Sequence, residues 1–174
     1  KCFNRVSASN VFCEVNNPAA DNAAFDGFAI NSNDTMNLNK KKNRLFKISG
    51  TVAAGDKPIN NRLKKFQTVE IMTGGIIPKG YDTIVPIEQI IFYPNKKKPQ
   101  YILIDKKISK YQYVRFKGSD FKKGDLLFKK GTVLQPNHIL ALKTLGIKTI
   151  KVKKIPNILF FSTGNEISNQ EKIP

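Results

Sequence analysis

Asp26 stands between Phe25 and Gly27 in the stretch DNAAFDGFAI, residues 21–30. A carboxylate beside a glycine can project into a cleft or bind a hard cation such as Mg2+. It can equally be a turn aspartate bonded to its own backbone. Farther along, Thr73-Gly74-Gly75 interrupts the segment QTVEIMTGGIIPKGYDTIVPIEQI, residues 67–90. Adjacent glycines admit positive φ and close approach of a ligand. Their N–H groups, with the Thr73 hydroxyl, offer donors for an oxyanion. Glu88 closes the apolar run that starts at Thr83, and the plain alternative for it is a solvated strand-end carboxylate. Lys117-Gly118-Ser119-Asp120 places another acid after Arg115, and both bases could supply positive charge to an anionic ligand or simply be solvated. Last, Ser162-Thr163-Gly164-Asn165-Glu166 follows the apolar run Ile158–Phe161, at the strand end where open α/β sheets place ligands.

The elements that must position these groups are mostly strands. Val69 and Ile71 alternate with polar neighbours, the period of a half-buried strand. With Thr83–Ile87, and with Pro78-Lys79-Gly80 as a tight turn, residues 67–90 read as a central hairpin. Further strands are expected within 3–16 and over 28–30, 46–52, 101–105, 112–116, 126–128, 132–134 and 147–152, with turns every ten or so residues. Residues 31–43 and 92–99 read as polar loops. One helix is expected over 136–145, opened by Pro136 in its first turn and closed by Gly146. His138, at its start, is given no role. The continuous run 158–161 has the pattern of a strand buried on both faces. The fold class is therefore mostly β (complex β/α+β). The expected organisation is a linker lobe of 1–20 and 121–156, an inserted β module over 21–120, and the start of an α/β domain over 157–174. The chain opens on Lys1 and reads as a piece of something longer.

Composition narrows the function classes. The hydrophobic share is 40%, enough for a core, and no run approaches the roughly 18 apolar residues of a membrane helix. The formal charge of +17 invites a nucleic-acid reading. Only Arg5, Arg44, Arg62 and Arg115 among the 30 basic residues are arginines, however, and phosphate forks and base readout favour arginine. The lysines fall in short runs such as 40–42 and 96–98, in expected turns, as a solvated coat would. Cys2 and Cys13 make no metal pattern and read as free thiols of a reducing compartment.

In order and spacing, DNAAFDGFAI, MTGG, KGSD and STGNE together resemble the MoeA/gephyrin E-domain family, the molybdopterin molybdotransferases, over essentially the whole chain. DNAAFDGFAI is similar to that family's DNSAMDGYAV pattern, which implies that Asp26 is its functional aspartate. Thr73 matches the threonine of the MTGAP-type segment, and Glu88 the glutamate closing the next strand. Asp120 matches the aspartate of the Gly-Glu-Asp segment, with Ser119 where the glutamate stands. Ser162, Thr163, Gly164 and Glu166 match the STGDE segment, with Asn165 in place of its aspartate.

The resemblance implies catalytic roles for Asp26, Thr73, Glu88, Asp120 and Glu166. It implies cofactor contacts from Gly74, Gly75, Ser162, Thr163 and Gly164, and metal ligation by Asp26 and Asp120. Adenylylated molybdopterin and molybdate are the implied substrates, Mg2+ the cofactor, and molybdenum insertion the reaction. A cytoplasmic homodimer with sites shared across subunits is implied, with molybdopterin adenylyltransferase and molybdoenzymes as further partners and no membrane. Two other readings compete. One is a gephyrin-type scaffold. The other is a basic nucleic-acid-binding β domain, which would use Tyr111, Tyr113 and Phe116 beside Lys110, Arg115 and Lys117.

Overall fold

The computed structural model describes residues 2–57, 64–161 and 163, and it is mostly β. Its elements are β1 (Val11–Phe12), β2 (Asn22–Ala23), β3 (Gly27–Ile30), β4 (Arg44–Val52) and β5 (Gln67–Ile71). Then come β6 (Thr83–Pro86), β7 (Ile91–Tyr93), β8 (Tyr101–Ile104), β9 (Val114–Arg115), β10 (Leu126–Phe128) and the helix α1 (Pro136–Thr144). Six strands form one sheet in the order β6-β3-β5-β4-β8-β7.

The expected hairpin of β5 and β6 is not formed. β3 lies between them, antiparallel to both. Its four residues are all buried, so this apolar run gains most by sitting where neighbours cover both of its edges and both of its faces. Gly27 opens β3 at a close approach: a Cβ there would lie 2.1 Å from the Val85 carbonyl oxygen. β4 runs parallel to β5 and antiparallel to β8.

The two faces of the sheet carry separate cores. Phe28, Ile30, Phe46, Val85, Ile102 and Ile104 fill one, with Leu38 and Ile108 over them. Ala29, Val52, Val69, Ile71 and Ile84 fill the other, against Ala23, Ile77, Tyr81 and Tyr113. Buried hydroxyls are bonded, as burial demands: Thr68 donates to Ala29 O at 2.8 Å and Thr83 to Ser109 O at 2.8 Å.

The first and last segments meet around a third core of Val11, Phe128, Leu134 and Leu142. β1 pairs with β10, and single bridges join Val6 to Val133, Ser7 to Val152 and Asn17 to Phe121. The stretches 132–134 and 147–152, expected as strands, contribute only such bridges. α1 forms where expected, and Gly146 follows it at φ 71°. His138 does have a role: its Nδ1 accepts the Gln135 N–H at 3.0 Å, satisfying a donor at the helix start, and its ring meets Phe128. The run 158–161, expected as a buried strand, has no regular structure, and Phe160 is 87% exposed. A strand needs a neighbour, and none of the described residues pairs with it.

Candidate functional site

Residues 21–26 are laid between two other motif-bearing segments. On one side the Ala23 N–H bonds Gly75 O at 3.0 Å, the Gly74 N–H bonds Ala23 O at 2.9 Å, and the Ile77 N–H bonds Asp21 O at 3.0 Å. On the other side β2 pairs with β9, and the Ala24 N–H bonds Tyr113 O at 3.0 Å. The Asp21 carboxylate accepts the Lys117 N–H at 2.8 Å. Hydrogen bonding thus joins stretches up to 96 residues apart in sequence.

At the end of this strip the Asp26 carboxylate is clamped by Thr73. Its Oδ1 accepts the Thr73 N–H at 2.6 Å and the Thr73 hydroxyl at 2.7 Å. The hydroxyl bond first, then the backbone bond, hold the carboxyl below the usual carboxylate range. Asp26 is exposed, and among the described residues no donor bonds its Oδ2. One oxygen therefore orients the side chain, and the other faces solvent as an anion.

A pH prediction follows from this clamp. A carboxyl depressed in the fold contributes stability above its unfolded pKa of about 3.9 and loses that contribution as pH falls through the lower folded value. Thr73→Val keeps the N–H donor and removes the hydroxyl, so Asp26 should titrate at higher pH in that variant. Carboxyl 13C NMR across an acid titration measures it; identical Asp26 curves would remove the hydroxyl from the account.

The expected oxyanion cradle at Thr73–Gly75 is not available. The Gly74 N–H is bonded to Ala23 O, the Gly75 N–H to Met72 O at 2.8 Å, and both Thr73 donors to Asp26. Gly74 and Gly75 are instead structural. Gly74 has φ 81°, and a Cβ on Gly75 would lie 2.9 Å from both Ile71 Cγ1 and Met72 O.

Glu88 lies on a short 3-10 turn, Ile87–Gln89, past the end of β6, and its side chain is exposed. It comes near Asp26 through the backbone, since the neighbouring Ile87 N–H bonds Asp26 O at 3.1 Å. Asp120 is not a free acid. Its Oδ2 forms an ion pair with Arg115 and accepts the Asn17 side-chain amide at 3.3 Å. Ser119, in place of a glutamate, only approaches Asp120 Oδ1, at 3.4 Å.

The donor set fits Mg2+ in part. Among the described residues no three His, Cys, Asp or Glu side chains gather as a metal group. Asp26 can offer Oδ2 in the manner of sites where one carboxylate and substrate phosphates share the ion. Asp120 is engaged differently, its Oδ2 already paired with the Arg115 guanidinium. Thr163 is exposed and without regular structure, while Ser162, Gly164 and Glu166 lie outside the described residues.

Two positioning features carried no local sequence signal. Tyr113, at φ 56°, packs its ring edge-on against Phe25, 5.0 Å between centroids. The buried Thr83 hydroxyl donates to Ser109 O and accepts the Gln112 N–H at 3.0 Å, pinning the loop that presents Tyr113. The aromatic strip expected of a nucleic-acid surface is otherwise engaged. Tyr111 packs edge-on against Phe116, Lys110 lies over the Tyr111 ring, and Arg115 is paired with Asp120. A cleft of about 210 Å³ opens alongside, between 77–82 and Tyr111–Val114, but Asp26, Thr73, Glu88 and Asp120 do not line it.

Comparisons with known proteins bear on the family and the fold of the chain. Residues 1–146 match the family described as MoeA N-terminal region (domain I and II). A molybdopterin molybdenumtransferase of Staphylococcus aureus (strain Mu50 / ATCC 700699) is 33% identical over 170 residues, which cover 96% of this chain and 38% of that protein. One from Bacillus subtilis (strain 168) is 29% identical over 167 residues, again 96% and 38%. A crystal structure of the molybdopterin biosynthesis moeA protein from Pyrococcus horikoshii OT3 superposes with a TM-score of 0.78 at 30% identity, covering 88% of this chain and 39% of that one. The chain thus spans well under half the length of these relatives.

Proposed function

The chain belongs to the MoeA family through its N-terminal region, domains I and II, and from that premise we propose that it contributes the acidic half of a molybdenum-insertion site. The observation that carries the reading is the Asp26–Thr73 clamp, assembled where three motif segments meet. The substrates are molybdate and adenylylated molybdopterin, and the enzyme class is molybdopterin molybdenumtransferase.

The chain's own residues do limited work in this reading. Thr73 fixes the rotamer of Asp26 and keeps it ionised, so Oδ2 is presented as a stationary negative charge. Stationary charge in a closed site is worth more than mobile charge in water, because it needs no reorganisation during reaction. Asp26 would hold Mg2+ through that oxygen, and the ion would neutralise phosphate charge as the nucleotide leaves. Glu88, exposed one residue past the backbone partner of Asp26, is a proton-handling group of the same rim. Asp120 acts by holding Arg115, which fixes a guanidinium beside the strip formed by β2 and β9.

The second half of the site comes from another surface. A pterin with its phosphate needs a concave site of roughly 300 Å³ or more, and the cleft beside the clamp is smaller and lined by other residues. The reading therefore has a cytoplasmic homodimer, in which this β surface faces the pterin-binding part of a second subunit. No helix among the described residues is long and apolar enough to cross a membrane. Burial, then the Asp125 carboxylate, push the Cys13 thiol up, so it stays a protonated core group.

The test compares the 174-residue chain with the full-length protein, scoring molybdenum transferred per dimer from molybdate and adenylylated molybdopterin. The long form should transfer and the 174-residue chain should not. Equal transfer by both would overturn the shared-site reading, and no transfer by the full-length dimer would overturn the function.

A further inference from the structure

Among the described residues, the sheet face that carries the Ala29–Ile84 core is covered only at the site end, and across β4, β8 and β7 it lies open. Register places Leu45, Leu103 and Ile91 in one row across these strands, and Lys47, Tyr101 and Tyr93 in the next. Directly opposed residues project to the same face. The alternate residues Phe46, Ile102 and Phe92 point the other way, into the Phe28 core. The two rows are therefore outward by pleat, and Ile91 is 58% and Tyr93 53% exposed. The Tyr93 and Tyr101 rings lean edge to face, 6.5 Å between centroids.

An exposed apolar strip rimmed by polar residues is the kind of surface that takes part in protein interactions. Its rim is basic. Lys47 lies within it, Lys96, Lys97 and Lys98 are exposed on the turn between β7 and β8, and Lys106 and Lys107 follow β8, with Asp105 as the acid beside them. We propose that this face docks an acidic protein segment with apolar side chains at its centre, such as an alternating glutamate/aliphatic stretch of a partner protein.

Charge decides against the other occupants. A second copy would bring the same lysine rim, on a chain of charge +17, against itself. Single-stranded nucleic acid favours open aromatic faces, whereas here the two tyrosines pack on each other and the adjoining row is purely aliphatic. An acidic segment satisfies the rim, while its apolar residues cover Ile91, Leu103 and Leu45.

The test titrates the full chain with a synthetic nonapeptide alternating glutamate with isoleucine, valine and phenylalanine. Two further probes are its lysine-for-glutamate version and a single-stranded oligo-uridylate. Amide NMR shifts locate binding and fluorescence anisotropy measures affinity. The glutamate peptide should shift amides of β4, β7 and β8, and bind more weakly as salt rises from about 50 to 500 mM. An Ile91→Ser/Tyr93→Ser double variant should weaken it about tenfold, since truncating central interface residues costs over 1 kcal/mol. Both side chains are exposed, so circular dichroism should stay unchanged. Shifts elsewhere, equal binding of the lysine peptide, tighter binding of oligo-uridylate at these amides, or self-association lost in the double variant would each overturn the proposal.

Discussion

Asp26→Asn in the full-length dimer should lower molybdenum insertion by at least about a hundredfold, the scale of losing one aligned acid–base or electrostatic group. The fold should survive the change. An asparagine Oδ1 can still accept both Thr73 donors, whose bonds of 2.6 and 2.7 Å define the clamp. What disappears is the negative charge at the outward position, at nearly constant volume. The measurement is molybdenum transferred per dimer, with circular dichroism and thermal melting as folding controls. Wild-type transfer by Asp26→Asn would take that residue out of the mechanism while leaving the family membership intact. A parallel Asp120→Asn should be harder to interpret, because it also strips Arg115 of its ion pair.

The largest stability effect is expected next to the same residue. Gly27→Ala would set a methyl 2.1 Å from Val85 O and 2.9 Å from Pro86 Cα. Those atoms are backbone of β6, which pairs with Gly27 through Pro86, so no side-chain rotation can relieve the clash. β3 and β6 must separate, at a cost near the upper end for overpacking, about 3 kcal/mol. For a chain of this size that is a fall of about 6–12 °C in Tm. Because Asp26 precedes the strained residue, activity should fall too. A melting temperature within about 2 °C of wild type, less than 1 kcal/mol on the same scale, would mean that β3 and β6 do not approach as described.

What the sequence determined by itself was local, and it was local for a physical reason. Period-two alternation around Val69 and Ile71 depends only on which side chains face a core. Pro136 and Gly146 mark helix ends through their own φ preferences. Four short motifs in order sufficed for the family, and two of them supplied Asp26 and Thr73, which hydrogen-bond to each other in the fold. Tertiary structure decided which of these meet. The insertion of β3 between β5 and β6 turned an apparent hairpin into a crossover, because strand partners compete across the whole chain for the most apolar run. That same insertion brings Asp26 to Thr73 over 47 residues and spends the glycine N–H groups on the backbone. Hydrogen-bond partners of this kind depend on register, not on residue type. Arg115 also pairs with Asp120, five residues on, which a list of acids cannot foresee. The capping bond of His138 follows from α1 opening at Pro136, where the sequence places it, whereas the Phe128 ring against its imidazole comes from the tertiary fold. The apolar run 158–161 shows the complementary limit: its composition specifies a strand, but a strand forms only where another edge supplies its hydrogen bonds.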